Sequence, residues 1–150
     1  MWGVSDYAGL AEMELKYRSM PECERLKLVE RLRERLAEDS GVVFAYVHGG
    51  FLEREWFRDV DVAVWVRDPR DAFYYAVEFS AKLEVELGVP VDVQVLNEAP
   101  LPFKYRVFTR GRLLFSRDER LRLEVVDRTV RSYMDLKKLI EATAALTTAK

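Results

Sequence analysis

The sequence is poor in several things, and each shortage excludes something. A single cysteine, Cys23, rules out an internal disulfide, and with only one histidine, His48, no Cys/His cluster has zinc-finger spacing. No apolar run approaches the roughly 20 residues of a membrane span. The start, Met1-Trp2-Gly3-Val4-Ser5-Asp6, lacks the basic-then-apolar build of a signal peptide, so a cytoplasmic location is expected. Neither charge sign dominates: 24 Lys+Arg face 26 Asp+Glu, a net charge of -2, which argues against a uniformly basic coat for nucleic acid. No internal repeat, low-complexity tract or long linker interrupts the 150 residues, a length that suits one domain. Asn97 and Gln94 are the only amide side chains. Scarce amides beside abundant charge suit a protein kept at high temperature, where amides are labile.

What is present reads as alternating helices and strands. Residues 1–18 show weak periodicity and are expected to be irregular or briefly helical. Ser19-Met20-Pro21-Glu22 has the form of a capping box, and Leu26, Val29, Leu32 and Leu36 then mark one helical face, closed by Gly41. Residues 42–47 form a continuous apolar run expected to be a buried strand. A polar-aromatic link, 51–58, precedes a second strand, 59–66, whose valines at 60, 62, 64 and 66 face away from Asp59, Asp61, Ala63 and Trp65. Asp68-Pro69-Arg70-Asp71 starts a helix to about Leu87, with Phe73, Ala76, Val77, Leu83 and Leu87 as core contacts and Gly88 as its stop. A third strand, 90–96, puts Asp92 and Gln94 opposite three valines. A short helix at 103–109, a strand at 112–116 and a helix at 119–141 follow, the last with Leu123, Val126, Val130, Tyr133 and Ile140 at helical spacing and a fraying tail from 143. This order predicts an α/β sandwich: a small mixed sheet of about four strands flanked by helices.

The informative constellation is Gly49-Gly50, then Asp59-Val60-Asp61, then Asp92. Residues two apart on a strand point the same way, so Asp59 and Asp61 share a side, and Asp92 joins them if the third strand lies beside the second. At about 4 Å and an effective dielectric near 20, one such carboxylate pair costs roughly 4 kcal/mol. Proton uptake, separation into solvent or a hard divalent cation relieves that repulsion. Magnesium prefers oxygen ligands and leaves places for water and phosphate, so phosphoryl chemistry is the natural use of the cluster. Two residues without side chains at a strand end let backbone N–H groups face phosphate oxygens.

This combination resembles the nucleotidyltransferase superfamily related to DNA polymerase β, and more closely the minimal nucleotidyltransferases paired with HEPN-domain proteins. The resemblance rests on Val47-His48-Gly49-Gly50, Asp59-Val60-Asp61-Val62 and Asp92, and extends over about residues 25–140 through Gly111 to Asp118 and Tyr133-Met134-Asp135-Leu136. It departs from the pattern in having Gly50 where serine is frequent and a spacer of eight residues before Asp59. The resemblance implies transfer of a nucleoside monophosphate, AMP from ATP, to a hydroxyl. Asp59, Asp61 and Asp92 would hold Mg²⁺, and Gly49, Gly50 and Arg54 would meet the triphosphate. It also implies a partner, a HEPN toxin whose tyrosine accepts the nucleotide, with the chain acting as antitoxin.

Blander readings stand beside these. The three aspartates also suit a half-exposed sheet facing water, and the chain also suits a catalytically weak module that masks a toxin's active site. Nucleotide addition to RNA is disfavoured by length and charge. His48 suits a structural hydrogen bond; Arg54 and Arg58 flank the phosphate site but are also ordinary surface residues. Trp56 and Phe57 are expected to bury against the sheet, Trp65 under a helix, and Cys23 in packing. Arg117, Arg120, Arg122, Lys137 and Lys138 read as solvated helix faces. The long final helix leaves room for assembly into an oligomer.

Overall fold

Four strands, β2 (Val42–His48), β4 (Val60–Val66), β5 (Val91–Val95) and β6 (Arg112–Ser116), form one mixed sheet in the order β5-β4-β2-β6. The computed structural model describes residues 17–148, so most of the irregular segment expected at 1–18 lies outside the described residues. The central strand β2 runs antiparallel to β4 and to β6, while β5 lies parallel to β4. The continuous apolar run of β2 is explained by its place, since it is covered on both faces. On one face Ala45 and Val47 join Val60, Val62 and Val64 in a core with Leu28, Leu32, Leu36, Phe79 and Leu83. On the other, Phe44, Tyr46 and Ala63 pack with Leu96, Val107 and Val125. The expected alternation of β4 therefore separates two cores, and Asp61 lies on the second side, where Trp65 stacks on Phe44 at 5.7 Å.

Helix α1 (Glu22–Glu38) covers the first face, but its cap and phase differ from the expectation. Ser19 does not cap it. Its backbone is in the two-residue strand β1 (Arg18–Ser19), paired with β3 (Trp56–Phe57), and the carbonyl of Pro21 instead accepts from Glu24 and Arg25 N–H. Leu28, Leu32 and Leu36 form the buried stripe with Val29 beside it, whereas Leu26 is 51% exposed and Cys23 is exposed. An i, i+4 run outranks the mixed spacing that included Leu26, because it keeps one narrow ridge on the sheet. Phe57 is buried as expected; Trp56, its neighbour on β3, is 55% exposed because successive strand residues face opposite ways.

The crossover from β4 to β5 contains a break in helical winding. A 3₁₀ turn, Pro69–Asp71, capped by the Asp68 carboxylate, leads into α3 (Ala72–Tyr74), a π turn, Tyr75–Phe79, and α4 (Ser80–Leu87). Tyr75, Phe79, Leu83 and Leu87 are buried, each four residues after the last. Over a series of this length a regular helix drifts gradually around its axis, and the wider π turn reduces that drift in the aromatic half. Phe73, Ala76 and Val77, expected in the core, are therefore outside, and Phe73 is 75% exposed. The Tyr75 hydroxyl reaches Asp39 at 3.0 Å over Gly41, where a Cβ would meet that oxygen at 2.2 Å.

On the second face α5 (Leu101–Arg110) and α6 (Glu119–Thr148) pack together, Tyr105 stacking on Tyr133 at 3.8 Å. The buried residues of α6 are Val125 and Thr129, with Leu123 and Ile140 exposed; the tail expected to fray is helical through Thr148. Two arginines read as solvated are engaged: Arg117 donates to the Val42 carbonyl at 2.9 Å and Arg122 to the Tyr46 hydroxyl at 2.7 Å. The π turn gives a direct test. Phe79→Ala costs about 3–5 kcal/mol in denaturant unfolding, while Phe73→Ala changes stability by under about 0.5 kcal/mol. Equal costs would place Phe73 in the core and refute the observed winding.

Candidate active site

The site is built where β2 ends. His48, the last residue of β2, pairs with Asp61 of β4, and Gly49 follows with φ 75° and ψ -154°. That conformation is open to glycine and strained for other residues. A Cβ at Gly49 would also stand 2.4 Å from Asp61 Oδ2, so the missing side chain is what lets the carboxylate occupy its position. Gly50 opens the single turn α2 (Gly50–Glu53), and there a Cβ meets nothing nearer than Arg54 Cδ at 4.0 Å. A residue that sequence reasoning missed holds the following loop. Arg25 of α1 donates to the Phe51 and Glu55 carbonyls, and its guanidinium lies 5.2 Å and 5.0 Å from the Phe51 and Phe57 ring centroids. The signal available was an arginine one turn before Leu28, at the N-terminal end of the apolar stripe of α1.

Asp61 and Asp92 are register partners on the parallel strands β4 and β5, with the flanking valines of both strands in the first core. Their carboxylates are bridged by an amide: Gln94 Nε2 donates to Asp92 Oδ2 at 2.7 Å and reaches Asp61 Oδ1 at 3.4 Å. Gln94 Oε1 in turn lies 2.7 Å from His48 Nε2, and the His48 ring sits edge-on to Phe103. Burial pushes the Asp61 carboxyl above the usual carboxylate range, and the charge of Asp59 adds to that, with a smaller push from Asp92. His48 and the Gln94 hydrogen bond act in the opposite direction. Asp59 stands at the entrance to β4, half-buried, and Asp92 is exposed.

Two chambers meet at Asp61. One, of about 480 Å³, is lined by His48, Gly49, Gly50, Arg54, Asp61 and Gln94 on the sheet side and by Phe103, Arg106 and Arg110 of α5. The other, of about 170 Å³, contains Gly50, Arg54, Arg58, Asp59 and Asp61. Asp92 lines neither. Arg106 and Arg110 were not read as site residues, although four-residue spacing puts them on one helical face. With Arg54 they put three guanidinium groups around the larger chamber, which also carries the acids Glu53 and Asp61, and such a group of arginines is suited to a polyphosphate. A further cavity of about 510 Å³ lies at the other end of β4, around Trp65, Arg67 and Asn97, but its Asn97 amide is already bonded both ways to the Val66 backbone.

A family model described as polymerase beta, nucleotidyltransferase, matches residues 30–120, which include the glycine turn, all three aspartates and the two α5 arginines. The chain belongs to this nucleotidyltransferase family. No significant match was found among curated protein sequences. Among solved structures, it is similar to the MntA–HepT toxin–antitoxin structure with TM-score 0.62 and 23% identity, covering 81% of this chain and 98% of that one. It is likewise similar to a tri-AMPylated Shewanella oneidensis HEPN toxin in complex with MNT antitoxin, with TM-score 0.62, 22% identity and the same coverage. A toxin–antitoxin structure with AMP-PNP gives TM-score 0.64 and 23% identity over 79% of this chain and 98% of that one. At this identity the likeness concerns the fold, and it agrees with the mixed sheet of the nucleotidyltransferase family.

The donor chemistry fits a hard cation: oxygen ligands only, with a carboxyl whose ionisation burial and like charge both oppose. The cluster is not preassembled, because among the described residues no three His, Cys, Asp or Glu side chains stand together as a metal site, and the Gln94 amide bridges Asp61 and Asp92. Two outcomes follow for this nucleotidyltransferase. A carboxyl group raised in the folded state favours folding most at low pH, and that contribution is lost as pH rises through its folded value. Asp61→Asn therefore raises the thermal midpoint at neutral pH, and the gain disappears below the ordinary Asp range near ~3.9; a lower midpoint at neutral pH contradicts it. Gly49→Ala displaces the Asp61 carboxylate and strains the backbone, costing about 1–3 kcal/mol by denaturant unfolding, while Gly50→Ala stays within about 0.5 kcal/mol.

Proposed function

We propose that the chain transfers AMP from ATP to a tyrosine hydroxyl of a HEPN-type toxin, in a Mg²⁺-dependent reaction, and so acts as its antitoxin. The observation that carries this reading is the placement of Asp61, beside Asp59 and paired with Asp92, at a side-chain-free bend opening on an arginine-lined chamber. Toxin–antitoxin pairing and AMPylation are named for the structures it resembles, and the family match supplies the reaction class. Bound Mg²⁺, held by Asp59, Asp61 and Asp92, would supply charge stabilisation on the attacking and leaving oxygens.

The protein's own contribution is positional. Arg54, Arg106 and Arg110 bind the triphosphate from both walls of the larger chamber. Gly49 leaves room for the Asp61 carboxylate at the edge of that chamber. Asp92, exposed on the neighbouring strand, accepts the proton of an incoming hydroxyl, and the Gln94 amide orients it against Asp61. One observation favours a second reading, a weak transferase that neutralises its partner by covering it: the Gln94 amide already engages one oxygen of each of the two carboxylates that would have to turn toward a cation.

With labelled ATP, Mg²⁺ and a HEPN partner, the wild type labels the partner, and Asp59→Asn with Asp61→Asn abolishes labelling and neutralisation together. Neutralisation that survives the double substitution rejects the enzymatic reading in favour of masking. Arg106→Ala and Arg110→Ala each weaken ATP binding by about tenfold or more, the loss of one charge-assisted contact. Unchanged affinity in calorimetry would remove α5 from the nucleotide site.

A further inference from the structure

The smaller chamber holds a nucleophile that the proposed reaction leaves unused, the phenol of Tyr17. Tyr17 lines that chamber together with Asp59, Asp61, Gly50 and Arg58, and its side is open to solvent, 52% exposed. Its position is set by backbone pairing. Arg18 is the register partner of Phe57 and Ser19 of Trp56, so Tyr17, one residue before this short antiparallel ladder, comes out beside Arg58. The Arg58 guanidinium lies 5.8 Å from the Tyr17 ring centroid, and Arg18 Nη1 reaches the Gly88 carbonyl at 3.5 Å. The two chambers share Asp61, Gly50 and Arg54, so a phosphate seated at Asp61 is open to both.

Other described tyrosines are placed differently. The hydroxyls of Tyr46 and Tyr75 are held by Arg122 and Asp39, and Tyr105 and Tyr133 are stacked on each other in a groove with Arg106 and Arg110. Tyr17 combines the same class of nucleophile as the proposed toxin acceptor with a tether that keeps it at the site. Such tethering replaces a bimolecular encounter with a unimolecular one, an advantage that reaches effective molarities of about 10⁵ M in well-oriented systems.

We propose that Tyr17 is an acceptor for the chain's own transfer reaction, so that the protein nucleotidylates itself in cis; this rests on the reading of the site as a nucleotidyltransferase. The Tyr17 phenol oxygen forms a bond to the α-phosphorus of a bound nucleoside triphosphate. The bond from that phosphorus to the α,β-bridging oxygen breaks, pyrophosphate leaves with the electron pair, and the phenolic proton passes to water in the open chamber. The product is a tyrosyl nucleoside monophosphate diester.

The test is intact-mass and fragment analysis of the full chain, both as isolated from cells and after incubation with ATP and Mg²⁺ without partner. A HEPN partner in a parallel mixture reports the transferase itself. The expected result is a gain of one AMP group mapped to Tyr17, at a rate unchanged by dilution and lost in Tyr17→Phe, which keeps the ring over Arg58. Partner labelling without any mass gain on this chain overturns the inference and leaves the proposed function intact. A gain mapped to another residue, or a rate that falls on dilution, also overturns it. No labelling of either protein rejects the transferase reading and the inference with it. Fragment mapping in the wild type decides the matter even if Tyr17→Phe fails to fold.

Discussion

The site depends on one close approach, the Asp61 carboxylate against the backbone of Gly49. A strand that ended in any other residue would put a Cβ 2.4 Å from Asp61 Oδ2 and would resist a φ of 75°. The pairing of His48 with Asp61 fixes the two strands in the register that makes this contact, and the parallel pairing of β4 with β5 brings Asp92 alongside. Asp61 is thereby held where an anion is disfavoured, by burial first and by Asp59 second. Burying this carboxylate costs stability, a relation common at functional centres, and in the proposed reaction it is the group that would meet the cation.

The scaffold keeps that arrangement from two directions. From the first face, Arg25 of α1 fastens the loop after α2 through two backbone carbonyls and two aromatic rings, so the spacer of eight residues between Gly50 and Asp59 is held by side-chain contacts as well as by the β1–β3 ladder. From the second face, α5 lays Arg106 and Arg110 over the chamber and Phe103 against His48. The single glutamine of the chain completes the network, linking His48, Asp61 and Asp92. The cations on one wall and acids on the other define where a triphosphate and its counter-ion would sit.

Much of this was legible in the residues. Strands with strict alternation or continuous valines announced themselves, because burial on one or both faces leaves a period-2 or unbroken apolar signature, as in β4 and β2. The glycine turn and the aspartates were found because their spacing has few structural uses. The helices were located but their phases were not always right. Phe73 was misplaced because a π turn is invisible to a regular periodicity, and Leu26 because the ridge of Leu28, Leu32 and Leu36 competes with it. Ser19 was read as a cap because local chemistry favours it; pairing with Trp56 across 37 residues overrode that preference. Arg25, Arg106 and Arg110 act through tertiary placement, which spacing within one helix does not disclose. The bridging role of Gln94, like the placement of Asp92 beside Asp61, depends on the two neighbouring strands lying side by side.

The proposed role of Asp59 and Asp61, beside the Gly49 bend, is to receive the cation and triphosphate. It is tested most directly by a crystal structure of the full chain with Mn²⁺ and a non-hydrolysable ATP analogue, using anomalous scattering to place the metal. A cation at about 2.0–2.2 Å from oxygens of both carboxylates, with the phosphates against Gly49, Arg106 and Arg110, is the expected result. Nucleotide bound in the distant cavity around Trp65 and Asn97, or a cation that touches neither aspartate, would contradict it.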